Sequence, residues 1–124
     1  MATIKSYTDI EQSRKLAEIL SLESADMWYD NNGESIAGRP EVRCGSFIGL
    51  SSINIPCWTL ASLLELLPKR IEIVDNVYEI SIYLYGIYYL NVNNGNLCFE
   101  SKDKDNLVDA CVDTIIRLNE LNLL

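Results

Sequence analysis

Apolar residues recur at helical spacing in three parts of the chain. Ile10, Ala17 and Leu20, with Ser13 among them, fall on one face; Leu16 and Ile19 widen it, and Arg14, Lys15 and Glu18 lie largely opposite. Thr8 and Glu11 stand at capping-box spacing, so a helix is predicted over about 8–20. Leu60, Leu63, Leu64 and Leu67 form a second stripe, broadened by Ala61 and Leu66. Thr59 is its expected N-cap, Trp58 is placed to pack on its first turn, and Pro68 ends it after about three turns. A third helix is predicted over about 104–120, capped by Asp103 or Asp105. Leu107, Cys111, Ile115 and Leu118 run in line there, and Val108, Ala110, Val112 and Leu121 make the apolar face wide. Asp109, Asp113, Arg117 and Glu120 mark its polar side, with Asp113 and Arg117 spaced to pair.

Between the helices the period changes to two. A strand over 25–29 runs into the turn Asp30-Asn31-Asn32-Gly33, and short strands over 34–39 and 42–48 are interrupted by Gly38, Pro40, Gly45 and Gly49. Residues 71–74 lead through Asp75-Asn76 into 77–85. That run alternates, with Tyr78, Ile80, Ile82 and Leu84 on one face and Glu79, Ser81, Tyr83 and Tyr85 on the other. Gly86 breaks it; 87–92, the turn Asn93-Asn94-Gly95, and 96–100 follow. Connections this short imply antiparallel pairing. The expected fold is α+β: an antiparallel sheet of five or six short strands with three helices on one face, in a single domain over 1–124.

Composition acts mainly by exclusion. A length of 124 residues with 48% hydrophobic content can build one core. Eighteen acidic against ten basic residues leave a net charge of -8, which speaks against nucleic acid and against an anionic membrane surface. The plain meaning of the acidity is solubility. No stretch approaches the roughly 18 consecutive apolar residues of a membrane helix, and the first residues lack the apolar run of a secretory leader. A cytoplasmic location is therefore expected, with Cys44, Cys57, Cys98 and Cys111 reduced and mostly buried.

The chain has no histidine, which closes Ser-His-Asp and Cys-His chemistry and any histidine-bearing metal site. The four cysteines lie singly, far from the spacing of a structural zinc site. Cys57, beside a helix start, is the thiol best placed for a lowered pKa. Asp109 and Asp113 share a helix face and could offer oxygen ligands, although solvated helix-start charges explain them as well. Gly45 to Gly49 lacks the form of a phosphate loop. No cofactor and no metal is expected.

Tyrosine is the unusual component. Five of the seven stand at Tyr78, Tyr83, Tyr85, Tyr88 and Tyr89. Such residues on an open strand face suit protein recognition, because they bury large area at little entropic cost. On a face covered by helices they would be ordinary strand residues. Tyr83, Tyr85 and Tyr88 are the candidate interaction surface.

The segment from Lys5 to Met27, with Ile55-Pro56-Cys57-Trp58-Thr59-Leu60 continuing to Pro68 and the Asp109-Ala110 helix, resembles a family of small uncharacterised proteins of gut Bacteroidales and their phages and mobile elements. The resemblance implies an intracellular bacterial or phage setting and carries no catalytic or ligand residue. The expected function is thus a non-enzymatic accessory or protein-interaction protein, binding itself or a host or phage protein. Two alternatives are a small carboxylate-based enzyme, with or without a metal, and an acidic decoy of a nucleic-acid-binding protein.

Overall fold

The structure is a computed structural model. It describes residues 5–29, 55–83, 86–102 and 104–124, and the backbone of 41–42. The predicted strands over 34–39 and most of 42–48 lie outside the described residues.

Three α-helices form: α1 (Ile10–Ala17), α2 (Leu60–Leu66) and α3 (Leu107–Glu120). The α1 capping box is built one residue later than the Thr8–Glu11 spacing indicates. Asp9 Oδ1 accepts from the Gln12 N–H at 2.8 Å, and Gln12 Oε1 accepts from the Asp9 N–H at 3.1 Å. Thr8 is drawn inward instead, and a carboxylate caps the positive helix end at least as well as a hydroxyl. Thr59 caps α2 as expected, accepting from the Ser62 N–H. That helix has only two turns, and Ala61 is exposed where the stripe pattern put it in the core. Asn106 caps α3, accepting from the Asp109 N–H at 2.9 Å, so Asp105 is not the cap; Asp103 lies outside the described residues.

The described strands are β1 (Met27–Tyr29), β2 (Glu41–Val42), β3 (Ile55–Cys57), β4 (Arg70–Ile73), β5 (Asn76–Tyr83), β6 (Gly86–Asn91) and β7 (Leu97–Ser101). They divide into a three-stranded sheet, ordered β2-β1-β3, and a four-stranded meander, β4-β5-β6-β7, with all neighbours antiparallel. The β4–β5 turn falls on Val74-Asp75, one residue earlier than the sequence pattern placed it. Gly95, at φ +73°, takes the left-handed position of the β6–β7 connection, where glycine carries no steric cost. Cys98 is the extra residue of a bulge, since Tyr89 faces Phe99 and Leu90 faces Leu97.

The main core joins the helices to one face of the meander. Leu16, Trp58, Leu63, Ile87, Tyr89, Cys111, Ile115 and Leu118 are among its buried members. Tyr89 packs on Phe99, with ring centroids 5.1 Å apart, and its hydroxyl donates to the Pro68 carbonyl at 2.8 Å. A smaller core of Tyr29, Ile55 and Cys57 lies in the first sheet. The α+β class, the three helices and their packing against the sheet agree with the sequence reading. The wide apolar face of α3 is consumed by the chain itself: Val108, Ala110, Cys111, Ile115 and Leu118 are fully buried. Leu121, placed on that face by pattern, follows the helix end and is 52% exposed.

Candidate interaction surface

Strand alternation sorts the meander into two faces. Ile71, Tyr78, Ile80, Ile87 and Tyr89 point toward the helices and belong to or pack against the core. Register puts Arg70, Glu79, Ser81, Tyr83, Tyr88 and Leu90 together on the other side. Of the tyrosines, Tyr78 and Tyr89 are therefore core-facing, Tyr83 and Tyr88 face outward, and Tyr85 lies outside the described residues.

Tyr83 is 60% exposed, and Tyr88 is half-buried. Their rings meet edge to face, with centroids 5.3 Å apart and planes at 85°. That geometry sets the positive edge of one ring on the negative face of the other and holds both side chains in place. Gly86 makes it possible. It opens β6 opposite Tyr83, and a Cβ there would stand 3.1 Å from the Tyr88 ring and hydroxyl and 3.0 Å from the Ser101 carbonyl oxygen. The Tyr88 ring thus lies over a residue without a side chain. The sequence pattern marked Gly86 only as an interruption; its spacing two residues before Tyr88 on a shared face was the available signal. On the same face Arg70 and Glu79 form an exposed ion pair at 2.6 Å.

The charged groups beside the starts of α1 and α3 are engaged with one another. Lys5 bonds Asp9 at 3.0 Å and Asp109 at 2.8 Å, and Gln12 Nε2 donates to the same Asp109 oxygen. Burial alone would raise the Asp109 pKa; hydrogen bonds from Lys5, Gln12 and Asn106, with the Lys5 charge, outweigh it and hold the carboxyl below its usual range. Asp113 pairs with Arg117 at 3.6 Å and stands 3.9 Å from Lys104. Both carboxylates named as candidate oxygen ligands are thus occupied by cations. Among the described residues no group of three His, Cys, Asp or Glu side chains gathers where a metal could be held.

Asp26 accepts from the Thr59 N–H at 2.9 Å, from the Thr59 hydroxyl, and from the Ser62 hydroxyl at 3.2 Å, which ties the segment before β1 to the start of α2. Cys57 is fully buried among Thr8, Ser13 and Tyr29. Burial pushes its thiol pKa up against hydrogen bonds that pull it down, so it lacks the lowered pKa of a reactive cysteine. Burial likewise pushes the Cys111 thiol up to about 12 and raises that of Cys98. Cys57, Cys98 and Cys111 are free thiols, and Cys44 lies outside the described residues. Among the described residues no helix is long and apolar enough to cross a membrane.

No family model, curated protein or solved structure matches this chain.

Proposed function

We propose that this protein is a non-enzymatic accessory protein that binds another protein through the outward face of its four-stranded sheet. The observation that carries this reading is the Tyr83–Tyr88 pair, two aromatic rings fixed edge to face on the side of the sheet away from the helices. Aromatic residues held in place this way lose little entropy on binding and are enriched where binding energy concentrates. The pairing of Asp109 and Asp113 with cations accounts for these two carboxylates as structural ion pairs, which favours this reading over a carboxylate-based enzyme. The resemblance to small Bacteroidales and phage proteins fits a host or phage partner in the cytoplasm, and the free thiols fit the same compartment.

The test is site-specific photocrosslinking in bacterial cells. A benzophenone side chain at position 83 is expected to give a discrete adduct, which a second copy or a different protein would distinguish by mass. The same group at Glu11, exposed on α1, should give none. Absence of an adduct at 83, or equal adducts at both positions, would sink the proposal.

A further inference from the structure

Among the described residues, β5 runs past the end of its neighbour β4 and leaves main-chain hydrogen-bonding groups over there. β4 accompanies β5 from Ile73↔Asn76 to Arg70↔Glu79, and one more bond follows, from the Ile80 N–H to the Lys69 carbonyl at 3.0 Å. The chain then leaves the sheet at Pro68 for α2, while β5 continues to Tyr83. Backbone groups of a strand point to alternate sides. The Ile82 N–H and C=O therefore point to the same side as those of Ile80, away from β6, and no described strand pairs with them there.

Side chains beside this edge make it more than a bare ladder end. Ile82 is 46% exposed and, with Leu64, Leu67 and Ile80, lines an apolar depression of about 390 Å³. Lys69, Arg70 and Glu79 form its rim. Arg70 is neutralised by Glu79 at 2.6 Å, so Lys69 leaves the rim positive on a chain of net charge -8. The opposite edge of the sheet is treated differently, since Arg117 Nη1 donates to the Glu100 carbonyl on β7 at 3.2 Å. Edges are commonly protected by charge, proline or a covering group; Ile80 to Tyr83 carry no charge and no proline, and no described strand covers them.

We propose that this β5 edge accepts an extended segment of a partner protein as an added strand, with an aliphatic side chain in the depression and a carboxylate on Lys69. Unpaired backbone groups supply affinity and the neighbouring pocket supplies specificity in such strand addition. A second copy of the chain fits less well, because the β5 residues from Ile80 to Tyr83 bring no acid to Lys69. The inference rests on the protein-binding reading above and names the chemistry of the partner.

The probe is a fluorescein-labelled peptide of alternating valine and threonine ending in two aspartates, titrated against the full chain by fluorescence anisotropy. Saturable binding is expected, with amide shifts at Ile80 and Ile82 and none at Arg117. N-methylation of the peptide amides that face β5, or Lys69→Glu, should weaken binding about tenfold, the size of one charge-assisted or main-chain hydrogen bond lost. N-methylation on the other edge of the peptide should change nothing. No saturable binding up to about 1 mM, or binding indifferent to both changes, overturns the proposal. Loss of peptide binding together with a retained photocrosslink at position 83 would leave the outward face as the partner site and remove only the edge.

Discussion

The Lys5 ammonium lies 2.8 Å from Asp109 Oδ1, joining the segment before α1 to the first turn of α3 across 104 positions of sequence. Burial acting alone would lower the Lys5 pKa; its bonds to Asp109 and Asp9 and their charges outweigh that and hold it above the ordinary 10.5. Asp109 is held below its ordinary 3.8. A carboxyl that binds its proton less readily when folded contributes stability above its unfolded pKa, lost as pH falls through the folded value. Lys5 contributes below its unfolded pKa and loses that as pH rises through its folded value. Asp109→Asn should therefore cost about 1 kcal/mol in urea unfolding at neutral pH, a figure that allows for partial exposure. Wild type and variant should converge as pH falls below 3.8. A gap that persists in strong acid would show that the loss is not electrostatic.

Thr8 is a buried junction. Its hydroxyl lies 2.7 Å from the Ser13 hydroxyl and accepts from the Trp58 N–H at 3.2 Å, while its carbonyl accepts from the Tyr29 hydroxyl at 2.6 Å. Thr8→Val keeps the shape but leaves the buried Trp58 N–H and the Ser13 hydroxyl without this partner. The expected loss is about 2 kcal/mol by chemical denaturation, whereas Thr8→Ser should lose only about 1 kcal/mol for the missing methyl. Equal losses would mean that the methyl packing dominates.

Val74 and Asp75 both take left-handed backbone conformations, at φ 46° and 64°, as a type I′ hairpin turn requires. A β-branched residue is poorly suited to that region, and Val74, 84% exposed, gains little packing in return. The Asn76 side-chain amide braces the turn by donating to the Val74 carbonyl at 3.1 Å. Replacing the pair by Val74→Asn with Asp75→Gly should stabilise the protein by about 1 kcal/mol, seen as a higher Tm. An unchanged or lower Tm would count against strain at this turn.

Gly86→Ala should disturb the aromatic pair. The new methyl would meet the Ser101 carbonyl at 3.0 Å, which backbone pairing holds, and the Tyr88 ring at 3.1 Å, which can swing away. The expected result is a stability loss of about 1 kcal/mol and altered Tyr83 and Tyr88 ring resonances in NMR spectra. Unaltered ring resonances would show that Tyr88 does not rely on the space above Gly86.

Much of the architecture was legible because it depends on local periodicity. The leucine stripe of α2, the apolar line from Cys111 to Leu118, the Asp113–Arg117 pair and the alternation of β5 each follow from the spacing of a regular element. Turn and cap details shifted by a residue where several groups compete. Asp9 and Thr8 can both cap α1, and the interior claims Thr8. Asn91 shows the same effect: it is buried, bonds Asn76 at 3.3 Å, and accepts from the Asn93 N–H at 2.8 Å, so it links two turns that the pattern treats as separate.

The candidate surface was legible as a set of tyrosines but not as a site. Alternation alone separates Tyr83 from Tyr78, since neighbours two apart on a strand share a face. It does not say which face the helices cover, because that follows from which apolar stripe each helix buries and where the loops allow it to dock. Only the tertiary structure decided that Tyr78 and Tyr89 turn inward, that Tyr83 and Tyr88 meet outside, and that β5 outruns β4. It also decided that the broad apolar face of α3 is spent on the core. The sequence by itself determined the three helices, the strands of the antiparallel meander and the lack of histidine, which are properties of residue type and short spacing. The strand Ile55–Cys57 and the separate sheet it forms with Met27–Tyr29 came only from tertiary pairing. Exposure, pairing across 104 positions and an open strand edge are properties of packing, and they exist only once the chain is folded.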